Sequence, residues 1–228
     1  MSGTFQERLE QVKERMAAAC ARAHRHPSEV QLIAISKTYG PDRVREAADC
    51  GLRLFGENKV QEAEAKIPEC PGSLSWHLVG HLQSNKAARA VALFDQIHAV
   101  DSLKLLQRLE AAAAAEGKRL PVLLEVNVSG EASKFGLPPA AVPELLAQAN
   151  HLEFVQINGV MTMPPLTPDP ERVRYYFQRL RQLRDEWSAA SGLLLAELSM
   201  GMSHDFEVAI EEGATWIRVG TALFGERT

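Results

Sequence analysis

Eight short apolar runs alternate with helical patterns along this chain of 228 residues, and no other feature of the sequence restricts the fold as much. The runs are LIAIS at 32–36, LRLFG at 52–56, WHLVG at 76–80 and QIHAV at 96–100. They continue with VLLEVNV at 122–128, FVQINGVMT at 154–162, LLLAELSM at 193–200 and WIRVG at 216–220. Helical spacing fills the gaps. Pro41 and Gly51 bracket one helix, with proline entering and glycine leaving. Asp101 or Ser102 can cap a helix carrying Leu103, Leu106 and Leu109, and Val173, Tyr176, Phe177, Leu180, Leu183 and Trp187 keep helical spacing over residues 171–187. Another apolar face, Leu9, Val12, Met16, Ala19 and Ala23, precedes the first strand. Strict strand–helix alternation implies a parallel sheet. Eight repeats close it into a (β/α)8 barrel, so the expected architecture is a single α/β domain over 1–228, a TIM-type barrel with one additional N-terminal helix.

Composition narrows the setting. Hydrophobic residues make up 46% and charged residues 24%, as in ordinary globular proteins. A net charge of −4 gives no electrostatic reason to expect nucleic acid or an anionic membrane as partner. Cys20, Cys50 and Cys70 form neither a CxxC pair nor a metal spacing, which fits reduced thiols and a cytoplasmic location. The first sixteen residues carry charges throughout and lack the apolar centre of a signal peptide, and no apolar run is long enough to cross a bilayer.

In barrels of this kind the chemistry sits on the loops after the strand C-termini. Lys37 ends the run QLIAISK at 31–37, at the mouth of the first strand. Desolvation there disfavours the ammonium form and frees the amine to attack a carbonyl. By itself the segment fits better a lysine reaching solvent where a strand ends. The loops after strands seven and eight, SMGMS at 199–203 and RVGTALFG at 218–225, supply Ser199, Gly201, Gly220 and Thr221, small residues with hydroxyls and approachable backbone N–H groups. These two loops form the usual phosphate site of the architecture, and a short helix starting near Thr221 would aim its N-terminus at a dianion. Tight turns alone would also explain either loop.

Lysine opposite a phosphate loop fits pyridoxal phosphate (PLP) held as a Schiff base, or a Schiff-base aldolase for a sugar phosphate. Arg218 bears on the choice. Alternation turns it into the barrel if Val219 faces the helices, and there its guanidinium could donate to a pyridine nitrogen and keep it unprotonated. A buried salt bridge to Glu125 or Glu197 is the competing role.

Seven segments resemble the pyridoxal-phosphate homeostasis protein family, whose fold is the alanine racemase N-terminal barrel. They are AISKTYG at 34–40, FGENKVQEA at 55–63, WHLVGHLQSNK at 76–86, VNVSGEASKFG at 126–136, NGVMTMPP at 158–165, LSMGMSHDFEVAI at 198–210 and WIRVGTALFGER at 216–227. The resemblance implies PLP as cofactor, Lys37 as the lysine joined to it and Arg218 as the partner of its ring nitrogen. It also implies Ser199, Gly220 and Thr221 as phosphate ligands, with Met200 or Gly201 supplying backbone. Asn58 is similar to the asparagine that lines the site near strand two, and His77 with Met161 or Met163 would surround the ring. Asn127 and Lys134 stand where racemases carry a modified lysine and an arginine, which counts against racemase function.

Two functions fit. One is a PLP homeostasis protein that holds the cofactor as a lysine aldimine, buffers free aldehyde, accepts amino acids as external aldimines and delivers PLP to apo-enzymes. The other is a small PLP-dependent amino-acid racemase. Racemisation needs two bases on opposite faces of the substrate. In racemases the second is a tyrosine from a separate C-terminal domain of the partner subunit. Here Tyr39 follows Lys37 too closely to face it, and Tyr175 and Tyr176 lie on an outer helix. The expectation is therefore a monomer that holds PLP without committed catalysis, with no catalytic residue and no metal.

Overall fold

The computed structural model describes residues 3–131 and 133–225. Ala132 of the VNVSGEASKFG segment, and Glu226 and Arg227 of the WIRVGTALFGER segment, lie outside the described residues. Eight parallel strands close a barrel in sequence order: β1 (Gln31–Ile35), β2 (Leu54–Glu57), β3 (Ser75–Leu78), β4 (Gln96–Val100), β5 (Leu120–Glu125), β6 (Val155–Met161), β7 (Glu197–Met202) and β8 (Trp216–Val219). The helices are α1 (Phe5–Arg22), α2 (Pro41–Asp49), α3 (Val60–Lys66), α4 (Ala87–Leu93), α5 (Leu103–Glu116), α6 (Val142–Ala147), α7 (Arg174–Ser191), α8 (Phe206–Glu211) and α9 (Thr221–Phe224).

The strand period of two sorts the side chains into two cores. In β1, Ile33 and Ile35 point into the barrel with Val79, whereas Ala34 packs in the larger core between sheet and helices. A second interior cluster gathers Ala99, Leu123 and Met161. Helix α1 begins with Thr4, whose hydroxyl accepts from Glu7 N while Glu7 returns a bond to Thr4 N, satisfying two of the unpaired first-turn donors. Its expected face is buried at Leu9, Val12, Met16 and Ala19, with Phe5 added, and each large side chain contributes about 1.5–3 kcal/mol. Ser102, not Asp101, caps α5 by accepting from Leu105 N.

The run LLLAELSM is displaced. Strand β7 begins only at Glu197, because α7 persists to Ser191 and ends on Gly192 in the left-handed region, φ 72°. Ser188 then donates to Leu193 O, and Leu194 is 82% exposed in the link. The strand instead continues to Met202, with an irregular register against β8 between Ser199 and Met202. Most of SMGMS is thus strand rather than loop, and this decides where its side chains point. Strand β5 stops at Glu125, earlier than the run 122–128, leaving Asn127 in the following loop.

Candidate functional site

Closure of the barrel hydrogen-bonds β8 to β1, with Ile33 opposite Arg218 and Ala34 opposite Val219. Lys37 and the Gly220–Thr221 turn therefore sit side by side on one sector of the rim instead of facing each other across the mouth. A cleft in that sector is lined by Lys37, Asn58, Met163, Arg218, Gly220 and Thr221, with Ile35 and Val79 as its apolar wall. Lys37 continues the inward face of Ile33 and Ile35 beyond the end of the strand. Gly56 makes room below: a Cβ there would come within 2.6 Å of Ile35 Cδ1 and 2.8 Å of Ile33 Cγ2.

At the edge of the cleft, the turn after β8 offers donors to an anion. The backbone N–H groups of Gly220 and Ala222 both donate to Ser203 Oγ, at 3.1 and 3.2 Å. Two amides converging on one oxygen form an acceptor site of the kind phosphate oxygens occupy. Helix α9 is a single turn of four residues, so it offers these N–H groups rather than a macrodipole. Ser203, the second serine of SMGMS, was not singled out by the sequence. Its position immediately after β7, beyond Gly201, is the signal that marks it.

Ser199 lies elsewhere. It is fully buried inside the barrel, where Arg218 Nη1 donates to its Oγ at 2.7 Å and His98 Nδ1 shares a 2.9 Å bond with it. His98 Nε2 in turn meets His77 Nδ1 at 3.1 Å. Burial holds both imidazoles neutral, lowering His77 to about 4 and His98 well below its ordinary value. Arg218 can only donate, and His98 is the one acceptor in reach of the Ser199 hydroxyl proton among the described residues. These bonds give the donor order Arg218, Ser199, His98, His77. Arg218 is anchored a second time by Nη2 donating to Thr162 O at 2.9 Å. Burial lowers it to about 10 against the opposing pull of Asp205 and Glu125, so it stays charged at neutral pH. No ion pair joins it to Glu125 or Glu197 among the described residues. Glu197 instead accepts from Gln96 at 2.5 Å and from Trp216 Nε1 at 2.9 Å.

Three more expected ligands fall outside the cleft. Met161 is buried with Ala99 and Leu123, one layer below Met163. Met200 faces the helices, as alternation from inward Ser199 requires. Gly201 has φ 91° and sits so close to α8 that a Cβ would approach Ala209 Cβ to 2.5 Å, so its role is to let the strand end pack. Tyr39 is turned away from Lys37: its hydroxyl donates to Gly225 O at 2.9 Å and its ring stacks on Phe224. Asn127 closes its own loop by donating to Glu131 O and accepting from Ser129 and Gly130. On another part of the rim, His81 bonds Asp101 at 3.0 Å and Phe135 stacks on His81 with centroids 4.0 Å apart.

Glu125 ends β5 at 2% exposure, and its Oε2 has no hydrogen-bond partner. Burial first, then Asp101, pushes its carboxyl up from 4.5 to about 7 against the pull of Arg218. Between those values the folded chain keeps a proton that the unfolded chain has lost, so this group makes stability fall as pH rises from about 4.5 to about 7. Glu125→Gln removes that dependence. Its stability relative to wild type is expected to rise by about 3 kcal/mol between pH 4.5 and pH 8. Urea melts of both proteins at the two pH values read the difference, and parallel curves would refute it.

The family model described as alanine racemase, N-terminal domain, matches residues 8–228. A pyridoxal phosphate homeostasis protein of Aquifex aeolicus is 45% identical over 222 residues, 97% of this chain and 97% of its own. This chain belongs to the pyridoxal phosphate homeostasis protein family. A family member from Pseudomonas aeruginosa is 44% identical over 227 residues, covering 98% of this chain and 96% of the relative. PipY of Synechococcus elongatus, solved with PLP bound, superposes with a TM-score of 0.83 at 44% identity, over 94% of this chain and 100% of PipY. An alanine racemase of Clostridium difficile gives a TM-score of 0.77 at 12% identity, over 98% of this chain and 57% of the racemase, and shares the barrel fold. No helix among the described residues is long and apolar enough to cross a membrane.

Proposed function

We propose that this chain holds PLP in the cleft at the β8–β1–β2 rim, as a cytosolic store that limits free aldehyde and yields the cofactor to apo-enzymes. The observation that carries the reading is one sector of rim holding three matched groups: the converging N–H pair of Gly220 and Ala222, the buried guanidinium of Arg218 and the amine of Lys37. They fit the phosphate, the ring nitrogen and the aldehyde of PLP. When bound, PLP supplies an aldehyde that condenses reversibly with amines. Gly220 and Ala222 hold the phosphate with their N–H groups, and the hydroxyls of Thr221 and Ser203 lie beside them. Asn58, Met163, Ile35 and Val79 wall the ring. Arg218 keeps its own protons and so leaves the ring nitrogen neutral, which makes the ring a poor electron sink. Lys37 provides the amine that holds the aldehyde and releases it. Tyr39, tied to Gly225, does not face Lys37 as a second base, so retention is favoured over racemisation.

Purified protein incubated with PLP is expected to be yellow, and borohydride is expected to fix a pyridoxyl group on the peptide containing Lys37. A label fixed on Lys59, Lys86 or Lys134 instead would reject the assignment. Lys37→Ala is expected to keep phosphate-dependent binding, weakened about tenfold, because the anion end is untouched.

A further inference from the structure

We infer that the buried Glu57–Lys66 pair, together with Ser36, is a positioning device for Lys37; the inference rests on the reading that Lys37 holds the cofactor. In β2, alternation turns Gly56 into the barrel and Glu57 out toward α3. Glu57 is fully buried and Lys66, at the end of α3, is 6% exposed, a rare state for either residue. Lys66 Nζ donates to Glu57 Oε1 at 2.5 Å and to the Ser36 carbonyl at 2.7 Å. Ser36 Oγ donates to the same carboxylate oxygen at 2.7 Å, and its N–H to Gly56 O at 3.1 Å. The residue before Lys37 is thereby held through backbone N–H, carbonyl and side chain at once.

The residue after it is held as well. Thr38 has φ 69°, a left-handed conformation that a β-branched residue adopts only when its surroundings impose it. Its N–H donates to Glu62 Oε2 at 3.2 Å. Glu62 and Lys66 lie four apart on α3 and therefore share a face, so one helix grips both neighbours of Lys37. The side-chain contacts from Glu57, Glu62 and Lys66 are made on the outer side of the sheet, while the lysine side chain leaves on the inner side, toward the cleft.

Stability alone is a weak reason for the arrangement. Buried ion pairs are often replaceable by apolar groups without loss, and Glu57 Oε2 has no hydrogen-bond partner. Geometry is the stronger reason. In the linking step the Lys37 nitrogen attacks the aldehyde carbon, the C=O becomes C=N, and one water leaves. The rate of such a step depends steeply on how the amine is presented. A fixed backbone at Ser36–Thr38 presents Nζ repeatedly at one place beside a ring that is anchored by its phosphate on the neighbouring strand.

The test is the double variant Glu57→Gln/Lys66→Met, which removes both charges together and leaves neither buried alone. Two ligands separate positioning from folding. PLP reads the covalent linkage by its absorbance band, whereas pyridoxine 5′-phosphate, with an alcohol in place of the aldehyde, reads only phosphate and ring contacts. Pyridoxine phosphate affinity is expected to change less than about twofold, while the rate and extent of PLP linkage fall about tenfold. PLP linkage at the wild-type rate and extent would overturn the inference, as would parallel loss of both ligands. Ser36→Ala, which removes one bond and keeps both charges, repeats the test should the double variant not fold. It is expected to slow linkage about threefold with pyridoxine phosphate binding unchanged, and unchanged linkage overturns the inference. Absence of any borohydride-fixed label on Lys37 in the wild type would instead reject the underlying cofactor reading.

Discussion

Pyridoxal, which lacks the phosphate, is expected to bind this protein about 100-fold more weakly than PLP. The estimate follows from the two amides at the anion end. Hydrogen bonds from neutral donors to a phosphate contribute about 1.5–3 kcal/mol each, or roughly 3–6 kcal/mol for Gly220 and Ala222 together. Both amides already donate to Ser203 Oγ, and those neutral bonds must be given up or shared, at about 0.5–1.5 kcal/mol each. The mid-range remainder is about 2.5 kcal/mol, which corresponds to a little under 100-fold in affinity. Ser203→Ala and Ser199→Ala then give opposite patterns. Ser203→Ala is expected to change the ratio between PLP and pyridoxal, because it alters the acceptor site itself. Ser199→Ala is expected to leave that ratio alone, because its hydroxyl lies inside the barrel between Arg218 and His98. Equal affinities for PLP and pyridoxal in a direct titration would show that the Gly220 turn is only a turn.

The serine pair illustrates what was legible in the sequence and what was not. Alternation of apolar runs with helical faces is sufficient for the barrel, and the strand period turns Arg218 inward, while for Lys37 it is the strand end that marks the mouth. The run 193–200 reads as ending at Ser199 and Met200, with SMGMS as the loop beyond it, whereas β7 runs from Glu197 to Met202 and carries Ser199 inside. Strand limits depend on which residues find a ladder partner, a tertiary fact that an apolar run does not encode. The same blindness hid Lys66. A lysine in the sequence VQEAEAK looks like a solvated helix end, and only packing of α3 against β2 shows it buried on Glu57 and Ser36. His77 is the intermediate case: its inward direction could be read, but its partner His98 comes from the neighbouring strand and its distance below the rim required the register.

Arg218→Glu is expected to change both stability and chemistry, and the structure shapes both halves of that expectation. The substitution removes the donors to Ser199 Oγ and Thr162 O and places a carboxyl near Glu125 and Asp205, whose own carboxyls are already raised by burial. Breaking a buried charged anchor in this way costs about 3–5 kcal/mol, so the melting temperature is expected to fall by roughly 6–20 °C. The introduced carboxyl, crowded by two others and desolvated, is expected to stay protonated near neutral pH and thus to be able to donate to the cofactor ring nitrogen. A guanidinium holding its proton leaves that nitrogen neutral; a carboxylic acid can protonate it and make the ring a better electron sink. Wild-type protein given alanine is expected to show an absorbance change with at most trace exchange of the Cα hydrogen in D2O. The variant, loaded with PLP at a temperature where circular dichroism shows it folded, is expected to exchange that hydrogen at least about tenfold faster. Racemised product is expected to remain scarce, because Tyr39 stays tied to Gly225 and the proton returns from the Lys37 side. Exchange at the wild-type rate with PLP bound would show that Arg218 serves the barrel interior alone, and wild-type turnover of roughly 1 per second or faster would reject the homeostasis reading in favour of a racemase.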